Sequence, residues 1–277
     1  MEPVSESEQF PVHSDDGTTI AVRVTRPAEV GAPRPPVLLV HGFGSGGAAN
    51  WERTGWLRTL GRAGITAIAV DLRGHGGSDR PHDPARYRLD TLLADLRAVA
   101  AALPELAGPV DLVGYSLGGR LVCELAHRPG RLAVRRMVIG GYAGTPLLQD
   151  LPPDAVDQAF AQIGGPPAVG EQHRGATRLA AIAAATPSND LTALRALVAG
   201  LSVDPALARA APPPQQPTLV VTGALDPIDD AAQAWAASLP HARWLEVPGR
   251  DHISVVTAAL FRERVAEFLT DPRTPAR

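Results

Sequence analysis

Short runs dominated by apolar residues recur along the chain at Val37–Val40, Ile65–Val70, Val110–Val113 and Val134–Ile139, and again at Thr218–Thr222 and Arg243–Val247. They do not show the strict apolar–polar alternation of a sheet with one wet face. Near-continuous apolar runs are the signature of parallel strands covered on both sides. Between them the apolar period changes to that of a helix. Leu89–Leu103 places Leu92, Leu93, Leu96, Val99, Ala100 and Leu103 on one helical face. Helices are also predicted over Asn50–Gly61, with Asn50 as N-cap, over Leu117–Ala126, over Asp230–Leu239 and from about Val255 to Leu269. Ahead of this alternation, Phe10–His13, the turn Ser14-Asp15-Asp16-Gly17 and the β-formers of Thr18–Val24 read as a hairpin. The expected fold is α/β, a mostly parallel central sheet of about eight strands with flanking helices.

The alternation breaks after Gly144. From Thr145 to about Gln216 no convincing strand is found. Three helical stretches near Asp154–Ile163, Arg174–Ala185 and Leu191–Leu201 replace it, punctuated by Gly164-Gly165-Pro166-Pro167 and Thr186-Pro187 and closed by Pro212-Pro213-Pro214. The predicted organisation is therefore a core formed by residues 1–144 and 217–277, with residues 145–216 inserted as a helical lid. The polar tail Asp271–Arg277 is expected to fray.

The 277 residues suffice for one large domain with a sizeable core. With 26 basic against 29 acidic residues, there is no excess of positive charge to hold nucleic acid or an anionic membrane. Every one of those basic residues is Arg, so chemistry that needs a Lys nucleophile or base is excluded. Cys123 is the only cysteine, which rules out an intrachain disulfide or a Cys-rich metal site, and it reads as a small core residue. The acidic N-terminus, with Glu2, Glu6 and Glu8, has no apolar segment of a signal peptide, and no apolar run approaches a membrane span. A cytoplasmic protein acting on a small molecule is expected, with no membrane partner and an oligomeric state that the sequence leaves open.

The candidate chemistry centres on Ser116, in Gly114-Tyr115-Ser116-Leu117-Gly118-Gly119 directly after an apolar strand. A strand running through G-x-S-x-G into a helix makes a sharp turn that lifts the serine hydroxyl clear of the sheet. Glycine two residues to either side leaves room for the close approach that this turn demands. A serine hydroxyl needs a base, and the base needs an orienting acid. Reactive groups of an open parallel sheet gather beyond the carboxyl ends of its strands. Asp226 follows the strand ending at Thr222, and His252 lies in the loop after the next one. Asp251, Asp229 and Asp230 compete for the acid. Asp251 adjoins His252 and would point elsewhere, whereas Asp229 and Asp230 read as the N-cap and first turn of a helix. No zinc-binding spacing is present, and the glycines at 44, 46 and 47 lack the Lys of a phosphate-binding loop. Tyr115 and Tyr142 are candidate pocket walls, and Trp51 and Trp56 read as packing residues.

Four spaced motifs together resemble the α/β-hydrolase superfamily, specifically a lidded serine hydrolase, from about Phe10 to Leu269. They are His41-Gly42-Phe43-Gly44, Asp71-Leu72-Arg73-Gly74-His75-Gly76-Gly77-Ser78, the Ser116 turn and the Asp226/His252 pair. The resemblance implies a Ser116–His252–Asp226 triad, an oxyanion hole from the backbone N–H groups of Phe43 and Leu117, and no metal or organic cofactor. It leaves the side chain of Phe43 free to line the pocket and gives His41 and His75 structural roles in their loops. The implied reaction is esterase-like hydrolysis of an acyl bond in an apolar to medium-sized substrate. Carbon–carbon bond hydrolases and cofactor-free perhydrolases share the triad, and small-molecule receptors are built on the same scaffold. Epoxide hydrolases and haloalkane dehalogenases would carry Asp at the position of Ser116.

Overall fold

The structure, a computed structural model, describes residues 6–28, 34–148, 151–165 and 171–272. Eight strands form one sheet: β1 (Glu6–His13), β2 (Thr19–Arg26), β3 (Val37–Val40), β4 (Ala67–Val70), β5 (Pro109–Tyr115), β6 (Ala133–Gly140), β7 (Thr218–Gly223) and β8 (Ala242–Val247). Their spatial order is β1-β2-β4-β3-β5-β6-β7-β8. The β1/β2 hairpin and the β2/β4 pair are antiparallel. Every other pair is parallel. The runs Val37–Val40, Ala67–Val70 and Thr218–Gly223 are buried at every position, so the sheet is covered on both faces. One face carries the aliphatic cluster around Leu38, Leu92, Leu96, Leu121 and Ile139. The other carries Leu39, Trp51, Trp56, Val113 and Phe261. The two sides of a continuous apolar strand thus feed two separate cores.

Of the eight α-helices among the described residues, five flank this sheet: α1 (Trp56–Arg62), α2 (Leu89–Ala102), α3 (Leu117–His127), α7 (Asp229–Ser238) and α8 (Ala259–Thr270). Between β6 and β7 stand α4 (Pro153–Ala161), α5 (Glu171–Ala184) and α6 (Leu191–Ser202), which share a small core of Ala155, Val156, Phe160, Ala180, Leu194 and Val198. Asp190 caps α6 by accepting a hydrogen bond from the Ala193 N–H at 3.0 Å. The Pro166-Pro167 punctuation and residues 273–277 of the polar tail lie outside the described residues.

Two local expectations are corrected. Asn50 caps no α-helix; it sits inside a π-helical turn, Ala48–Glu52. The helix starts only at Trp56, behind Gly55 at φ 85°. The cause is the glycine, which takes a left-handed conformation and interrupts what reads in sequence as one helical segment. Similarly, the last helix is split by Ala258 into a short 3₁₀ turn, Val255–Thr257, and α8.

Candidate active site

Ser116 follows β5 with φ 54° and ψ −112°, one of two non-glycine residues at positive φ among the described residues. Its N–H donates to the Gly140 carbonyl at 2.7 Å, which ties the turn to neighbouring β6. The flanking glycines are required by contact rather than by dihedral angle. A Cβ at Gly114 would stand 2.2 Å from the Gly118 carbonyl oxygen, and one at Gly118 would stand 2.1 Å from the Val40 carbonyl oxygen. Strand, turn and helix α3 are packed backbone to backbone, which is the close approach that the sequence pattern anticipates.

The loops after β7 and β8 are joined to each other. Ala224 N–H donates to the Val247 carbonyl at 3.1 Å and Leu225 N–H to the Arg250 carbonyl at 2.9 Å. A side chain at Gly223 would strike the Arg250 carbonyl oxygen at 2.1 Å. This juncture brings acid and base together. His252 Nδ1 lies 2.7 Å from Asp226 Oδ2, and its Nε2 lies 3.0 Å from Ser116 Oγ. With the proton on Nδ1 donated to the carboxylate, Nε2 is free to accept from the serine hydroxyl. Asp226 is buried, and its second oxygen accepts from the Ile228 N–H at 3.2 Å. The competitors are occupied elsewhere. Asp251 accepts from the Ile253 and Ser254 N–H groups at 3.1 and 2.8 Å. Asp229 and Asp230 open α7, whose N-cap is Ile228, and Asp229 also accepts from the Thr222 hydroxyl.

The loop after β3 passes against the serine: a Cβ at Gly42 would lie 3.3 Å from that of Ser116. Two buried histidines hold it. His41 donates from Nδ1 to the Gly42 carbonyl at 2.7 Å and accepts at Nε2 from the Leu72 N–H at 3.0 Å. His75 donates from Nδ1 to the Arg73 carbonyl at 3.1 Å and accepts at Nε2 from the Gly44 N–H at 3.0 Å. Each can accept a backbone N–H only as the neutral imidazole. Burial lowers both pKa values, that of His75 to about 3. Asp71 completes the scaffold by accepting from the Gly47 and Gly77 N–H groups at 2.6 and 2.8 Å. The Phe43 and Leu117 N–H groups flank the serine from this loop and from the first position of α3. No acceptor engages either of them among the described residues.

Ser116, Asp226 and His252 open into a cavity of about 630 Å³. Phe43, Tyr115 and Tyr142 line it as expected. Both tyrosines are buried at its wall with their hydroxyls committed. Tyr115 donates to the His252 carbonyl and Tyr142 donates to the Thr145 carbonyl at 2.6 Å. Burial raises both phenol pKa values. From α5 come Arg178, Leu179 and Ile182, and from the loop around the base come Ile253 and Val256. Sequence reasoning left these, and Asn50, unassigned to the cavity. The periodicity of α5 gives the residues of one face, but only the packing of Ile182 over Gly44, 2.9 Å from a Cβ built there, shows where that face points. Trp51 and Trp56 pack edge to face at 5.1 Å, away from the cavity in the second core.

The profile of the alpha/beta hydrolase family matches residues 37–268. Among characterised relatives, protein phosphatase methylesterase 1 of Gibberella zeae is 34% identical over 141 residues, covering 48% of this chain and 34% of that protein. A non-heme chloroperoxidase of Streptomyces lividans is 33% identical over 147 residues, covering 52% of this chain and 49% of its own. The match thus spans a third to a half of the length of these two relatives. The enol-lactonase of Burkholderia xenovorans LB400 superposes with a TM-score of 0.71 over 95% of this chain and 100% of its own, at 20% identity, a likeness of fold. On the match over residues 37–268, the chain belongs to the alpha/beta hydrolase family.

Proposed function

We propose that this protein is a serine hydrolase that cleaves a carboxylic ester or related acyl bond through an acyl-enzyme. The observation that carries the reading is the continuous relay from Ser116 Oγ to His252 Nε2 at 3.0 Å and from His252 Nδ1 to Asp226 at 2.7 Å. Ser116 Oγ attacks the carbonyl carbon while His252 takes its proton. Asp226 holds the imidazole in the accepting tautomer and stabilises its charged form. The oxygen of the tetrahedral intermediate accepts from the Phe43 and Leu117 N–H groups, the second reinforced by the N-terminus of α3. Collapse expels the leaving group, which takes the proton from His252 and leaves Ser116 acylated. A water molecule, deprotonated by His252, then releases the acid and restores the serine. In this reading α4, α5 and α6 act as a lid, and the protein needs no cofactor.

Fluorophosphonate labelling followed by peptide mapping tests the nucleophile. Labelling of Ser116 with turnover of simple 4-nitrophenyl esters is expected. Modification elsewhere, or full turnover by Ser116→Ala, would overturn the reading. Labelling without turnover of any ester or lactone would favour a receptor on the same scaffold. The chloroperoxidase relative supports a second fate for the acyl-enzyme: attack by hydrogen peroxide in place of water, giving a peracid. Peracid formation from an ester and peroxide, dependent on Ser116, separates the two.

A further inference from the structure

Inside the cavity one charged group is left over once the triad has formed. Asp226 and His252 bind each other, which leaves Arg178 as the remaining charged side chain on the cavity wall. It has no hydrogen-bond or ion-pair partner among the described residues. Arg178 stands one turn before Ile182 on α5 and two before Ala185, just past its end, and all three line the cavity. Ile182 packs on the Gly44 backbone beside the oxyanion loop, so that face of α5 looks towards Ser116. Arg178 is also close enough to act electrostatically on the Tyr115 phenol, whose hydroxyl is bonded to His252. Asn50, in the π-helical turn, also borders the cavity, but its unpartnered Nδ2 is shielded from it.

Arg178 is a permanent cation in a cavity otherwise walled largely by Phe43, Leu147, Leu179, Ile182 and Ile253. We propose that the substrate has an apolar body carrying, besides the scissile acyl group, a separate carboxylate that Arg178 binds. The proposal rests on the hydrolase reading, and its anion site is tested separately by binding. A guanidinium can pair a carboxylate through two parallel hydrogen bonds, which discriminates between otherwise similar acyl groups.

The test compares 4-nitrophenyl hydrogen glutarate with 4-nitrophenyl 5-methylhexanoate, in which an isopropyl group replaces the carboxylate. In the native protein kcat/KM should favour the glutarate ester. Arg178→Gln, a change at an exposed helical position, should lower the ratio of the two kcat/KM values by about tenfold or more, mainly through KM. Arg178→Glu should lower it further, and Arg178→Lys should retain part of it. A ratio unmoved by Arg178→Gln and Arg178→Glu would overturn the proposal. If neither ester is hydrolysed and Ser116 resists labelling, the hydrolase reading fails, and titration calorimetry with free glutarate decides the anion site. Binding to the native protein that Arg178→Gln abolishes would support it, and absence of binding would overturn it.

Discussion

Ser116 shows how much a single residue's surroundings dictate. Its positive φ is held by the Gly140 hydrogen bond and by the stacking of β5 on α3. The hydroxyl itself supports none of that packing. Ser116→Ala should therefore leave the thermal midpoint within a few degrees while lowering kcat by about 10⁴–10⁶. Single-turnover assays and a melting curve check both halves. His252→Ala should behave alike in kcat. Gly118 is the opposite case, with no chemistry and no room. A methyl there meets the Val40 carbonyl oxygen at 2.1 Å, and backbone cannot move aside as a side chain can. Gly118→Ala should destabilise the fold by about 3 kcal/mol or more, read from urea unfolding, or prevent its accumulation. The turn and its need for glycine were legible from the spacing Gly114-x-Ser116-x-Gly118, because a strand–turn–helix this tight restricts the residue types that fit. The unpaired amide of Asn50 was not legible: its environment is set by a turn that helical periodicity concealed.

Among the elements, the loop after β3 is held by the parts around it. Asn189, between α5 and α6, donates from Nδ2 to the Gly44 carbonyl at 2.8 Å and to the Ala183 carbonyl at 2.9 Å. One side chain thus clamps the end of α5 to the loop that carries the Phe43 N–H. Asn189→Ala should reduce kcat about 10-fold through a loosened oxyanion donor, with a smaller change in KM. An unchanged kcat would show that His75 and Asp71 suffice to hold the loop. On the far side of the serine, Arg120 of α3 donates to the carbonyls of Arg209 and Ala206 at 2.6 and 2.9 Å and pairs with Glu124 at 2.7 Å. This buried cation fastens the segment after α6 to the helix that follows the nucleophile. Removing one partner of such a cluster strands the others, so Arg120→Met should destabilise by about 3 kcal/mol in equilibrium unfolding. The helices themselves were readable from their apolar period. Their attachments were not, because Asn189 and Arg120 look in sequence like ordinary polar residues of a loop and a helix.

At the scale of the whole molecule, stability is coupled to the two neutral histidines under the loop after β3. Burial holds the folded pKa of His75 near 3, below the ordinary histidine value of 6.5. Between those limits the unfolded chain binds a proton that the folded chain refuses. Stability is then full above pH 6.5 and is lost as pH falls towards 3, at up to about 1.4 kcal/mol per pH unit for this one group. His41 adds to the slope in the same direction. His75→Gln, which keeps an acceptor for the Gly44 N–H, should flatten the dependence between pH 6 and 4 by about that amount, measured from urea unfolding at several pH values. An unaltered slope would mean that other groups govern acid unfolding. By itself the sequence determined the α/β alternation, the serine turn and the order of serine, acid and base. These follow from local rules: apolar runs seek burial, tight turns demand glycine, and reactive loops follow strands. Tertiary structure decided the rest. It set Asp226 within 2.7 Å of His252, freed Asn50 from a capping role, and turned the Arg178 face of α5 onto the cavity. Each of these depends on the relative placement of segments far apart in the chain, and no local period records that placement.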